Sequence, residues 1–293
     1  MNIVKERANA KINLYLDVLS RTDDGFHTIK TVMHSVSLYD TVSVKLISQK
    51  ERRIKLFVKN NKYLPIDSKN LAYRAAEKFL SYANIDSSVE IVLEKKIPIA
   101  AGLAGGSSDA AAVLRAMNKL FNKPFTSKMM YKIASELGSD VPYCLYGKSA
   151  LCEGKGEIMT FLPDVLRLNV VIAISKEHMS TPIAYSELDK RFSNFDGSVK
   201  TNAESHFTEI EKSFKDGLFR PSGLYNIFES TVLESCQRAR EIKKRLTELG
   251  AVSSLMSGSG PSVFGVFESM EKASAARDAL TSEGILAFAV SSV

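Results

Sequence analysis

The sequence predicts an α+β protein of two domains, and three observations carry that prediction. Its 293 residues suit about two domains of roughly 100–200 residues each. The first half alternates strand and helix patterns. From Leu168 onward the order is strand, helices, strand, strand, helix, strand, which is the split β-α-β arrangement of the ferredoxin-like kind. The expected division is 1–163 and 164–293, parted at a turn near Pro163.

The elements follow from periodicity. Ile12, Leu14, Leu16 and Val18 alternate with Lys11, Asn13, Tyr15 and Asp17, which predicts a strand buried on one face. Thr41–Ile47 and Ile54–Val58 read as two further strands. Leu71, Ala75, Ala76, Phe79 and Leu80 make an apolar stripe, predicting a helix over Asn70–Tyr82. Val89–Glu94 is a strand. Helices are expected over Ala110–Phe121 and Ser127–Leu137, the second stopped by Gly138. In the second half, Leu168–Ile174 is a strand, followed by helices over Thr181–Leu188, Asn202–Phe214 and Phe228–Leu249. Val252–Met256 and Ser262–Phe267 are strands, Glu271–Ser282 a helix and Ile285–Val290 the last strand. Asp189–Lys200 lacks a period and reads as a connecting loop.

Composition narrows the class. With 45% hydrophobic and 25% charged residues, the chain is globular rather than disordered or fibrous. Apolar runs such as Val170–Ile174 fall far short of the roughly 18 residues of a membrane span. Lys5, Glu6, Arg7 and Lys11 near the start leave no apolar core for a secretory signal. Cys144, Cys152 and Cys236 are odd in number and unrelated in spacing, which fits a reducing cytoplasm. No paired Cys/His spacing suggests zinc. A net charge of +6 fits a slightly basic protein or an anionic ligand. No block of like charges suggests a nucleic-acid tail.

Chemistry concentrates at Ile97-Pro98-Ile99-Ala100-Ala101-Gly102-Leu103-Ala104-Gly105-Gly106-Ser107-Ser108-Asp109, between a strand and a helix start. Glycines let main-chain N–H groups approach a ligand closely. Ser107, Ser108 or Asp109 could cap the helix, and a helix N-terminus favours anions. The pattern is neither a Walker A nor Gly-x-Gly-x-x-Gly. Lys11 and Asn13 fall on one strand face and could hold a phosphate and a hydroxyl. Asp140 follows a helix stop in Gly138-Ser139-Asp140-Val141-Pro142. Met256-Ser257-Gly258-Ser259-Gly260-Pro261-Ser262 is a second Gly/Ser loop, between two strands.

An N-terminal strand, a Pro-x-x-x-Gly-Leu-x-Gly-Ser-Ser type loop and a C-terminal Gly-rich loop, in this order, resemble the GHMP kinases. Ala10-Lys11-Ile12-Asn13-Leu14, Arg21-Thr22-Asp23-Asp24-Gly25-Phe26-His27 and 102–111 narrow the resemblance to the branch acting on a cytidyl diphosphate sugar alcohol of the non-mevalonate isoprenoid route. The resemblance implies an N-terminal ribosomal-protein-S5-domain-2-like α/β domain, a C-terminal ferredoxin-like domain and an active site in the cleft between them. It implies ATP with Mg²⁺, of unknown metal ligands, and Lys11 with Asp140 as the catalytic pair. Pro98 to Ser108 would hold the ATP phosphates, with Asn70 and Lys95 near the adenosine. Asn13, His27, Thr181 and Asp140 would bind the acceptor, with its cytosine between Phe26 and Tyr185. Ile227 stands where relatives carry a carboxylate, and Ala100-Ala101 where they are richer in glycine.

The expected partner is thus a small-molecule cytidyl diphosphate, not nucleic acid or membrane, in a monomer or weak homodimer. Two other readings are a GHMP kinase acting on mevalonate or homoserine, and an RNA-binding protein. The second rests on a pI near 9.0 and the Gly-x-x-Gly of Gly102–Gly105. It is weakened by Phe264 and Phe267, which a strand points to opposite faces.

Overall fold

The computed structural model describes residues 3–192 and 202–293. The first strands are β1 (Ile3–Arg21), β2 (His27–Ser48) and β3 (Arg53–Lys59), followed by α1 (Leu71–Ala83) and β4 (Ser88–Glu94). Then come α2 (Gly105–Leu120), α3 (Ser127–Ser135), α4 (Val141–Tyr146), β5 (Ser149–Glu153) and β6 (Ile158–Phe161). The remainder is β7 (Asn169–Ile174), α5 (Thr181–Arg191), α6 (Ala203–Asp216), β8 (Tyr225–Asn226), α7 (Glu229–Ser235), α8 (Gln237–Glu248), β9 (Ser253–Met256), β10 (Val263–Phe267), α9 (Met270–Ser282) and β11 (Leu286–Ser291). Among the described residues, no helix is long and apolar enough to cross a membrane. None of the three cysteines is in a disulfide, and all three are buried.

These elements form two compact units. The first comprises the described residues of Met1–Ala10, Leu38–Ile99 and Ala104–Gly147; the second comprises those of Lys11–Ser37, Ala100–Leu103 and Lys148–Val293. In the first unit β3 and β4 run parallel, with Arg53 opposite Ser88 and Lys59 opposite Glu94. The connection between them carries α1, the βαβ crossover that parallel pairing requires. The distal half of β2 joins β4 antiparallel, with Thr41 opposite Glu94. Helix α1 presents Ala72, Ala75, Ala76, Phe79 and Leu80 to the core and packs on α2. The Asn70 side chain caps it, accepting from Ala72 N at 3.0 Å.

In the second unit β11-β7-β10-β9 form an antiparallel sheet, the strand order of the expected ferredoxin-like half. Its core joins Val171, Val263 and Phe267 to Leu16 and Val18 of β1. The proximal half of β2 pairs with β5, Thr31 opposite Cys152. The chain end beyond β11 returns to β2, where Ser292 bridges Val36.

The structure departs from the sequence expectation in several places. Ile12 to Val18 is buried on both faces, not one. Leu16 and Val18 face the second unit's core, while Tyr15 on the other face meets Phe207 of α6 edge-on at 5.2 Å. The helix expected over Phe228–Leu249 breaks at Cys236, which has φ −107° and ψ 83°. The apolar stripe continues through that point, but Glu177 accepts from Arg238 N (3.1 Å) and Ala239 N (3.0 Å), starting a new helix there. Helix α2 begins at Gly105, earlier than expected, and none of Ser107, Ser108 and Asp109 caps it. Its N-cap is Ala104, at φ 56°. The expected loop over Asp189–Lys200 begins inside α5, and its 193–200 part lies outside the described residues.

Candidate active site

In the second unit Lys11 is 5% exposed. Its Nζ donates to Asn13 Oδ1 at 2.7 Å, and Asn13 Nδ2 donates to Thr31 Oγ1 at 2.8 Å. Thr31 in turn donates to the Tyr15 carbonyl at 2.6 Å. The strand spacing that puts Lys11 and Asn13 on one face thus becomes a chain of hydrogen bonds, each fixing the next side chain. Lys11 N donates to the Leu103 carbonyl at 3.2 Å, fastening the strand to 100–103.

The second Gly/Ser loop closes on the same place. It joins β9 to β10, with a cis peptide between Gly260 and Pro261. Ser257 Oγ donates to the Gly102 carbonyl at 3.2 Å. A Cβ on Gly102 would stand 2.2 Å from the Ser257 carbonyl oxygen, and Gly102 has φ +69°, so only glycine fits there. The Cβ position of Gly258 lies 3.6 Å from Lys11 Nζ. Asn226 Nδ2 donates to the Met256 and Gly258 carbonyls at 2.7 and 2.8 Å, holding that loop open at its base. Neighbouring Ile227 is buried in the apolar core, which is what a side chain without a carboxylate does at that position.

Helix α5 supplies the next residues. Thr181 and Tyr185 are four apart and share a helix face. Thr181 Oγ1 lies 3.0 Å from Ser259 Oγ. Tyr185 stacks on His27, with ring centroids 4.6 Å apart and planes at 24°. His27 Nε2 donates to Asp189 Oδ1 at 2.6 Å. Phe26 is 60% exposed, on a turn braced by Thr22 N donating to the Phe26 carbonyl at 2.7 Å. Lys155 Nζ sits 4.3 Å above the Phe26 ring and holds Asp24, whose carboxyl lies well below the usual range, at about 2, through that hydrogen bond first.

In the first unit lie Pro98, Ile99 and the 104–108 part of the loop, with Asn70, Lys95 and Asp140. The first-turn N–H groups of α2, at Gly105, Gly106 and Ser107, have no acceptor within the helix. Ala104 at the N-cap has no side-chain oxygen to offer them. Ser108 Oγ instead donates to the Asn9 carbonyl at 2.6 Å. Lys95 Nζ donates to Asp40 Oδ2 (2.5 Å) and Asp109 Oδ2 (2.6 Å), all three buried. Asp40 Oδ1 also accepts from Lys96 N (2.5 Å) and Ile97 N (2.9 Å). Asn70 is committed at both ends, since its Nδ2 donates to the Pro65 carbonyl at 2.8 Å. Asp140 is the half-exposed N-cap residue of α4, with φ −82° and ψ −14°.

The fold therefore gathers Lys11, Asn13, Thr181 and residues 100–103 around the second Gly/Ser loop, and His27 with Tyr185 beside α5. Sequence reasoning missed Asp40, Asn226 and Asp189 as members of these networks. Asp189 had a usable signal, lying four residues beyond Tyr185 on one helix face. Asp40 had none, because its partner is 55 residues away. Among the described residues, no cluster of three His, Cys, Asp or Glu side chains could hold a metal ion.

Comparison with known proteins bears on this arrangement. Residues 70–148 match the family described as GHMP kinases N terminal domain, and 209–286 match GHMP kinases C terminal. The chain is 39% identical over 269 residues to a protein of Clostridium botulinum (strain Loch Maree / Type A3) named 4-diphosphocytidyl-2-C-methyl-D-erythritol kinase, covering 91% of this chain and 92% of that one. A protein of the same name from Lachnospira eligens is 38% identical over 284 residues, 97% of this chain and 96% of that one. A crystal structure of 4-(cytidine 5'-diphospho)-2C-methyl-D-erythritol kinase superposes with a TM-score of 0.81 at 32% identity, covering 99% of both chains. Homoserine kinase from Cytophaga hutchinsonii shares the fold at a TM-score of 0.74 and 20% identity, over 100% of this chain and 95% of that one.

Proposed function

The chain belongs to the GHMP kinase family and is an ATP-dependent small-molecule kinase; from that premise we propose that it phosphorylates the 2-hydroxyl of 4-diphosphocytidyl-2-C-methyl-D-erythritol, a step of non-mevalonate isoprenoid synthesis. The observation that carries this reading is the likeness, over 91–97% of the chain, to proteins named for that acceptor. Likeness to kinases of homoserine and mevalonate lies at 20% and 14% identity and speaks for the fold alone. The family matches fall within 1–163 and 164–293, which supports taking those as the nucleotide-binding and C-terminal domains of the sequence.

In this mechanism the acceptor hydroxyl gives its proton to Asp140, its oxygen attacks the γ-phosphorus, and ADP leaves. Lys11 offsets the charge that builds on the phosphoryl oxygens. The uncapped first turn of α2 favours an anion, which supports a triphosphate along 98–108. Asn13 and Thr181 hold acceptor hydroxyls, and Phe26, His27 and Tyr185 receive the cytosine. Asn70 and Lys95 lie toward the adenosine, where main-chain contacts suit them, since their side chains are engaged. Mg²⁺ bound to a nucleotide needs only one or two protein carboxylates, the rest of its shell being phosphate and water. When bound, the ion neutralises triphosphate charge.

The test is ADP release measured with the cytidyl diphosphate acceptor, mevalonate and homoserine in parallel. The expected result is turnover with the first and little with the others; preference for mevalonate or homoserine overturns the assignment. With Asp140→Asn, kcat should fall on the order of 10²–10⁴-fold at unchanged ATP binding. Near-normal kcat would remove Asp140 as the base.

A further inference from the structure

We propose that Asp189 is a positioning residue that sets base selectivity, by fixing the tautomer of His27. This rests on the reading that the acceptor carries a cytosine. An ionised carboxylate can only accept hydrogen bonds. With Asp189 Oδ1 2.6 Å from His27 Nε2, the proton of the neutral imidazole therefore sits on Nε2. Nδ1 then carries the lone pair. The contact is sheltered, with side-chain exposures of 6% for His27 and 15% for Asp189. It is also held from several sides. Tyr185 stacks on the imidazole at 4.6 Å and is itself met edge-on by Phe228, with centroids 4.9 Å apart at 87°. Arg21 Nη1 lies 3.5 Å from the second oxygen, Asp189 Oδ2, leaving Oδ1 to the histidine. The stack fixes the plane of the ring, and a half-turn within that plane would put carbon in place of Nε2 and lose the hydrogen bond to the carboxylate.

An Nδ1 lone pair accepts from an amino group and repels a carbonyl oxygen. Cytosine presents a 4-amino group where uracil presents a 4-oxo group. The Asp189–His27 pair is thus a device for choosing a cytidyl over a uridyl acceptor, acting on binding rather than on phosphoryl transfer. In Asp189→Asn the amide can donate to Nε2, which moves the proton to Nδ1 and inverts the edge that is offered.

The experiment compares wild type, Asp189→Asn and Asp189→Glu at pH 8, using the cytidyl diphosphate acceptor and its uridyl analogue. Imidazole ¹⁵N shifts are recorded on the free proteins. In Asp189→Asn, KM for the cytidyl acceptor is expected to rise about tenfold to a hundredfold, by analogy with the loss when a carboxylate orienting a metal-bound histidine is removed. The cytidyl-to-uridyl ratio of kcat/KM should fall at least tenfold and kcat should change little. The Nε2–H tautomer should dominate in wild type and lose its dominance in the variant. Asp189→Glu should recover part of the ratio. An unchanged ratio and tautomer in a folded Asp189→Asn protein overturn the proposal. If wild type uses neither acceptor, the substrate reading fails, and the ¹⁵N shifts still decide whether Asp189 sets the His27 proton.

Discussion

Lys95 places one cation between two buried carboxylates, Asp40 and Asp109. Burial alone would lower its ammonium, but the two carboxylates prevail and raise it. The cluster still has one anion too many. Burial pushes the Asp109 carboxyl up, against the pull of Lys95 and with the help of Asp40's charge. Asp109 Oδ1 has no hydrogen-bond partner among the described residues. The cluster joins the chain entering the 97–104 loop, where Asp40 holds the N–H groups of Lys96 and Ile97, to the first turns of α2 at Asp109. Lys95→Met would leave both carboxylates buried and uncompensated, at a cost of about 3–5 kcal/mol. Urea unfolding measures that cost, and the KM for ATP should rise in what remains folded. Asp109→Asn should behave oppositely. A carboxyl raised in the fold keeps its proton where the unfolded chain gives it up, so its contribution falls as pH rises above the ordinary carboxylate range. Removing that carboxyl should therefore leave the protein relatively more stable at pH 8 than at pH 4. A smaller loss for Lys95→Met than for Asp109→Asn would refute this account of the cluster.

The start of α2 shows how an element can be set by what it lacks. Ser107, Ser108 and Asp109 are all good capping types, yet Ser108 and Asp109 are drawn into tertiary bonds with Asn9 and Lys95. The cap falls to Ala104, which must adopt φ 56°, and Ala100 earlier in the loop adopts φ 53°. Both are left-handed conformations that a Cβ disfavours. Ala100→Gly and Ala104→Gly should each stabilise the protein by about 1 kcal/mol, read as a higher urea midpoint at constant m-value. A lower midpoint for either would mean that the loop's conformation is not strained at that alanine. Helices α1 and α2 and the β9–β10 hairpin were legible because their apolar periods and turn residues are local. The break at Cys236 and the cap at Ala104 were not legible, because Glu177 reaches Ala239 across 62 positions and Asn9 reaches Ser108 across 99, while Lys95 meets Asp109 across the intervening loop, and local patterns encode none of these contacts. Lys11 and Asn13 were readable as a pair from strand spacing alone. Their link to Thr31 required knowing which strand lies alongside.

At the scale of the whole chain, β1 and β2 each contribute to both compact units, so no single cut in the sequence reproduces the structural division. The same winding buries two titratable groups whose effects on stability oppose each other. His34 lies between β5 and the chain end, 2.7 Å from both Ser149 Oγ and Ser292 Oγ, and burial lowers its pKa to about 4. The unfolded chain then takes up a proton near pH 6.5 that the fold refuses, so stability is lost as pH falls from about 6.5 to 4. Burial raises the Asp17 carboxyl to about 6. Here the fold keeps a proton that the unfolded chain releases, so stability is lost as pH rises from about 4 to 6. Each swing amounts to roughly 3 kcal/mol at 1.4 kcal/mol per pH unit, and over pH 4–6 the two largely cancel. Single variants should uncover them. Relative to wild type, Asp17→Asn should gain stability as pH rises from 4 to 6 and hold that gain above it. His34→Gln should gain as pH falls from 6.5 to 4. Urea melts of both variants at half-unit pH steps test this, and difference curves flat across the window would show that neither burial is linked to folding.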